Sequence, residues 1–171
     1  EKPLWRQKMD KKFLVIFYSR TGTTKKIARE IANALSCDIE EIIDKKDRSG
    51  VRGFMSGGRD AMKRELTEIN DIEQDPSDYD VIVIGTPVWA SNMTPAIRTY
   101  ISKYKEKFKN VAFFCTTGGT GIEKTLIEME VLCGKKPVAT VSLTVRQIKN
   151  STYQSFLNKF VENLQQCEIT N

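Results

Sequence analysis

Ser19, Thr21, Thr23 and Thr24 bring four hydroxyls into six residues, with Arg20 and Gly22 between them. Hydroxyls donate to oxyanions, and glycine lets the backbone come close to a ligand. Phe13 to Tyr18, just before, is an unbroken apolar run of strand length. Such a run reads as a strand buried on both faces of a parallel sheet. Just after, Ile27, Ile31 and Leu35 recur four apart, with Ala28 and Ala32 beside them, which is a helical pattern. The first N–H groups of a helix have no internal partner, and its dipole places about half a positive charge there. Strand, hydroxyl-rich turn and helix start together read as a phosphate site that requires no cation. The plainer alternative is an N-cap with a solvated turn, for which one hydroxyl suffices.

Two later stretches have the same form. The apolar run Val81 to Ile84 passes through Gly85 into Thr86, Pro87, Val88, Trp89, Ala90, Ser91 and Asn92. The run Val111 to Cys115 passes into Thr116, Thr117, Gly118, Gly119, Thr120 and Gly121. Trp89 is the right group to cover a planar ring, or it is a core tryptophan at a strand end. The glycines of the third stretch let backbone N–H groups approach a polar ligand edge, although Gly-rich turns alone are a weak signal.

Strands and helices must hold these loops. Strands are expected at 13–18, 37–43, 81–86, 111–115 and 137–143. Helices follow the first, third, fourth and fifth. Thr94 and Pro95 suit the start of a helix carrying Ile97, Tyr100, Ile101, Tyr104 and Phe108. Ser151 with Gln154 three residues on reads as the capping box of the last helix. The segment from Asp44 to Glu65 is rich in Gly, Lys and Arg. Phe54, Met55, Ala61 and Met62 suggest a short helix or packed loop there, either a solvated connection with an apolar anchor or a basic rim facing a partner. Alternating strands and helices imply a doubly wound, five-stranded parallel sheet in an α/β three-layer sandwich. The second strand is the most polar and belongs at an edge, in agreement with the order 2-1-3-4-5. Ligands of such sheets bind beyond the carboxyl ends of the strands, where the order reverses. All three loops lie there.

Ser19 to Thr24 resembles the Ser/Thr-x-Thr-Gly-x-Thr phosphate loop of flavodoxins. Ile84 to Trp89, Asn92 to Pro95 and Thr116 to Gly119 look like the matching loops of short-chain flavodoxin-like proteins, in the right order over about residues 11–165. The resemblance implies FMN as cofactor. It implies contacts from Ser19, Arg20, Thr21, Gly22, Thr23, Thr24, Thr86, Pro87, Val88, Trp89, Ala90, Asn92, Thr116, Thr117, Gly118, Gly119 and Gly121. Trp89 would cover the isoalloxazine ring. No side chain need be catalytic, because the cofactor carries the redox chemistry. The implied function is electron transfer between redox partner proteins. The alternative is an FMN-dependent NAD(P)H oxidoreductase acting on quinones or other small acceptors, and a flavin-free interaction module is third. The third loop lacks the aromatic residue that many flavodoxins stack on the outer flavin face, so one face is expected to be open.

Composition narrows the field. The chain has 171 residues, 40% of them hydrophobic, which suits one domain with a real core. The net charge of +5 is mild, without the basic stripe or motif of a nucleic-acid binder. It departs from the acidic character usual for the family's one-electron carriers. Histidine is absent, which removes His-based triads, ligands and proton shuttles. Four separated cysteines form no C-x-x-C; Cys115 and Cys133 fall on apolar stripes and read as buried, inert thiols. No apolar run approaches the roughly 20 residues of a spanning helix. A cytoplasmic location is expected. Residues 1–10 read as an extension or cloning remnant ahead of one domain over 11–171, with Trp5 able to pack on it.

Overall fold

Leu14, Val15 and Ile16 have no exposed surface in β1 (Phe13–Phe17), as a strand apolar on both faces requires. The computed structural model describes residues 1, 3 and 10–170. The reading of residues 1–10 as an extension, and of Trp5 as a packing group, falls largely outside them. β1 pairs in parallel with β2 (Asp38–Glu41) on one side and β3 (Val81–Pro87) on the other. β4 (Asn110–Thr117) and β5 (Thr140–Thr144) complete a five-stranded parallel sheet of order 2-1-3-4-5. β2 lies at the edge, where its Asp and Glu side chains meet water.

The helices are α1 (Thr23–Leu35), α2 (Gly50–Met62), α3 (Pro95–Tyr104), α4 (Ile122–Cys133), α5 (Val145–Lys149) and α6 (Gln154–Gln166). Side chains alternate across each strand, so the core has two halves. Leu14, Ile16, Ile82, Ile84 and Phe113 pack with Ile97 and Tyr100 of α3 and Met129 of α4. Val15, Phe17, Val83, Ala112 and Phe114 pack with Ile27 and Ile31 of α1 and Phe160 of α6. Each fully buried aliphatic side chain contributes about 1.5–3 kcal/mol. Cys115 and Cys133 lie in the first half, and burial pushes both thiols up to about 12. No helix among the described residues is long and apolar enough to cross a membrane.

The structure corrects three local expectations. Ser151 is not an N-cap. It holds a left-handed conformation (φ 53°), whereas an N-cap is extended. The capping box is seven residues earlier. Thr144 Oγ1 accepts from Gln147 N at 3.0 Å, and Thr144 N donates to Gln147 Oε1 at 2.8 Å. It opens α5, which the sequence reading missed. Phe108 is not on the α3 stripe, because the chain tightens into a 3-10 turn at Lys105–Lys107 and leaves Phe108 extended. Phe108 still reaches the core, stacking on Tyr100 with ring centres 5.8 Å apart. The third concerns the apolar residues of the 44–65 segment. Among them only Ala61 is buried, while Phe54, Met55 and Met62 face outward. The anchor is a charge cluster. Arg48 donates to Asp44 at 3.0 Å and to Asp60 at 2.6 Å, and Lys46 donates to Asp60 at 2.9 Å.

Candidate cofactor site

Gly22 makes the first turn possible. Its φ of 97° is strained for any residue with a Cβ, and it delivers the chain directly into α1. Gly22 N donates to Ser19 Oγ at 3.1 Å, folding the turn onto itself. α1 has no side-chain cap, and its first backbone bond runs from Lys26 N to Gly22 O at 3.0 Å. The N–H groups of Thr23, Thr24 and Lys25 are therefore open. The first turn holds no acidic residue. Thr21 and Gly22 are exposed, and Ser19 and Thr23 partly so. This is a donor-rich, electropositive mouth suited to an anion.

The other two loops lie at the same carboxyl end of the sheet. In the second, Trp89 and Asn92 exchange backbone bonds of 2.9 Å each way. Ala90 (φ 48°) and Ser91 (φ 62°) both take left-handed conformations between them, the tight turn that glycine and asparagine usually supply. Asn92 Nδ2 supports the turn by donating to Ala90 O at 2.7 Å. The third loop presses on it from behind. A Cβ on Gly121 would lie 2.6 Å from Ser91 Cα. Gly118, Gly119 and Thr120 are exposed at its tip, where Thr117 Oγ1 accepts from Gly119 N at 3.1 Å.

Threonines lock the three loops together. Thr24 Oγ1 and Thr116 Oγ1 lie 2.8 Å apart and share one hydrogen. Both side chains are almost fully buried. Val88 N donates to Thr116 O at 2.9 Å. Thr86 Oγ1 accepts from Thr94 N at 3.1 Å, and Thr94 caps α3.

Trp89 has neighbours on two sides. Tyr18 meets it in a T-shaped contact with centroids 5.5 Å apart. Gly57 of α2 lies against its ring, such that a Cβ there would be 2.6 Å from Cζ3. Tyr18 is itself buried, and burial, then the Asp44 carboxylate, push its hydroxyl up to about 12. Arg20 reaches the same helix. It donates to the carbonyls of Arg48 (2.8 Å) and Gly50 (3.0 Å) and lies 5.4 Å from the Phe54 ring centre. Among the described residues no group of His, Cys, Asp and Glu is placed to hold a metal ion.

Comparison with known proteins agrees with this arrangement. The sequence family described as flavodoxin matches residues 12–164. The chain belongs to the flavodoxin family. None of the curated proteins matches it. A Lactobacillus acidophilus flavoprotein, solved in complex with FMN, is 23% identical over 83% of this chain and 99% of its own, with a TM-score of 0.68. A Bacteroides eggerthii protein is 22% identical over 88% and 98%, with a TM-score of 0.71. The Megasphaera elsdenii flavodoxin is 16% identical over 91% and 99%, with a TM-score of 0.58. At these identities the likeness is one of fold.

Within this flavodoxin fold nine of the residues singled out by sequence fall into two sets, while Pro87, Val88, Trp89, Ala90, Asn92, Thr117 and Gly121 shape the second and third loops. Ser19, Thr21, Gly22, Thr23, Gly118 and Gly119 present surface at the carboxyl end of the sheet. Thr24, Thr86 and Thr116 face inward and hold the loops to one another. Arg20 turns its guanidinium away, toward α2. Sequence reasoning missed Tyr18 and Gly57, both of which lie against Trp89. Gly57 gave a signal in hindsight, since a glycine four residues after Gly53 in a helix marks a close approach.

Proposed function

We propose that this chain is an FMN-binding electron carrier that exchanges electrons between redox partner proteins, built as one domain over residues 11–171. The single observation behind this reading is the uncapped N-terminus of α1 behind Gly22, at the same carboxyl end of the sheet as the other two loops. The residues present fit a flavin phosphate: three open backbone N–H groups, the exposed Thr21 and the partly exposed Ser19 and Thr23 hydroxyls, and no acid in the first turn. Gly118 to Gly121 would face the polar edge of the ring system, and Trp89 would bound the ring on the α2 side. When bound, FMN supplies the electron storage. The chain's residues orient it and limit its contact with water. Family membership supports FMN as the cofactor.

An FMN-dependent NAD(P)H oxidoreductase is the second reading, favoured by the exposed tip Gly118, Gly119 and Thr120, which leaves that side of the site uncovered by an aromatic group. A structural neighbour described as an NADH:FMN oxidoreductase has the same fold, with a TM-score of 0.53 at 13% identity over 90% of this chain and 88% of its own. An anaerobic coulometric titration of the FMN-loaded protein, paired with an NADH and NADPH oxidation assay, separates the two. The carrier reading expects electron uptake in two resolved one-electron steps and slow pyridine-nucleotide oxidation. Uptake in a single two-electron step with rapid NAD(P)H turnover would replace it with the second.

A further inference from the structure

Helix α2 presents two parallel stripes to water. Val51, Met55 and Met62 recur at helical spacing and form an apolar ridge, the residues being 76%, 68% and 62% exposed. Arg52, Arg59 and Lys63, seven and four residues apart, form a basic stripe beside it. The opposite face is spent on the fold: Gly53, Gly57, Asp60 and Ala61 are buried. Half of the exposed large hydrophobics among the described residues fall between Val51 and Leu66. The helix carries one carboxylate, Asp60, which is buried and held by Arg48 and Lys46; of the outer cations it reaches Arg59, at 3.5 Å, and leaves Arg52 and Lys63 without an acid on their own helix. Burial alone would raise the Asp60 carboxyl, but these bonds outweigh it and hold it at about 2.

We infer that the outer face of α2 is the docking surface for an acidic redox protein, one with an apolar contact centre bordered by carboxylates. This rests on the electron-carrier reading. Position supports it, because Gly57 on the inner face touches Trp89, and Phe54 lies over Arg20 of the phosphate turn. A protein seated on α2 stands one helix away from the cofactor site. Charge supports it as well. Stripes of one sign raise encounter rates with oppositely charged partners and lose that effect in salt. An apolar ridge with a basic border also suits an anionic membrane. The protein partner is favoured because the surface backs directly onto the redox site.

The test uses the FMN-loaded protein and a reduced plant-type ferredoxin, an acidic probe. One electron leaves the ferredoxin cluster, which is oxidised, and reduces the bound FMN, with any proton drawn from solvent. Stopped-flow rates are expected to fall about tenfold or more between 20 and 300 mM salt, as screening shortens to within about 10 Å. Arg52→Glu/Lys63→Glu is expected to slow the reaction at low salt by a similar factor, and Val51→Ser/Met55→Ser to slow it at all salt concentrations. Photoreduction by a small uncharged dye controls for the cofactor. It should be equal in all variants, and failure of the wild type to bind FMN would remove the carrier reading itself. Rates independent of salt and of both double variants would overturn the surface assignment. So would faster reaction with a cationic cytochrome c at low salt. Sedimentation with phosphatidylserine vesicles that both double variants abolish would overturn it too, in favour of a membrane.

Discussion

Gly57 lies against the Trp89 indole so closely that a single added methyl would meet Cζ3 at 2.6 Å. The contact couples α2 to the second loop, and neither partner can yield cheaply: one is helix backbone, the other a ring wedged against Tyr18. Gly57→Ala should destabilise the protein by about 1–3 kcal/mol, the usual range for overpacking. It should also change the emission of Trp89 in a Trp5→Phe background. A urea midpoint and emission maximum both equal to the parent's would show that α2 and Trp89 are not in contact in solution.

Thr24 and Thr116 test the lock between loops. Removing one hydroxyl leaves the other buried without its partner, which costs about 1–3 kcal/mol. Thr24→Val and Thr116→Val should each lose about that much in urea unfolding. The double variant should lose less than the sum of the singles, because both polar groups are gone. Strict additivity would mean that the bond of 2.8 Å contributes nothing.

Asp60 gives a pH signature. Its carboxyl is held at about 2 in the folded protein, below the ordinary value near 3.9. Between those values the unfolded chain binds the extra proton, so stability rises with pH there. The contribution is complete above about pH 4 and is lost as pH falls toward 2. Chemical denaturation over this window should show a steeper loss in the parent than in Asp60→Asn. Parallel curves would contradict the cluster.

Thr21 is exposed and makes no hydrogen bond to another described side chain. Thr21→Val should therefore leave the unfolding midpoint nearly unchanged while weakening FMN binding by roughly tenfold, about 1.4 kcal/mol. Isothermal titration and thermal unfolding on the same samples separate the two effects. Equal FMN affinity would take Thr21 out of the site.

Much of this architecture was legible in the chain because its signals were local. Strands β1, β3 and β4 are continuous apolar runs, and Thr94 with Pro95 marks α3 without ambiguity. The polar composition of β2 placed it at the edge, in agreement with the sheet order. The convergence of the three loops followed from the sheet order. Several of the misses depend on partners distant in sequence. The capping box is a local case: Thr144 with Gln147 shows the same spacing as Ser151 with Gln154, so the pattern alone does not choose between them. The outward turn of Phe54 and Met55 is set by Gly53 and Gly57, which let α2 approach the Arg48 backbone and Trp89. Apolar residues beside two glycines looked like an anchor, but the glycines themselves are the contact face. The burial of Arg48 follows from pairing with Asp44 and Asp60, a compensation that spacing alone does not reveal.

The most direct measurement is a comparison of FMN with riboflavin on the purified apoprotein, by isothermal titration or flavin fluorescence. The two ligands share the ring system and differ by the phosphate. If the open N-terminus of α1 and the Ser19–Thr24 turn hold that phosphate, FMN should bind at least about 100-fold more tightly, roughly 2.7 kcal/mol. Equal affinities, or no binding of either ligand, would contradict a flavin phosphate site at this turn.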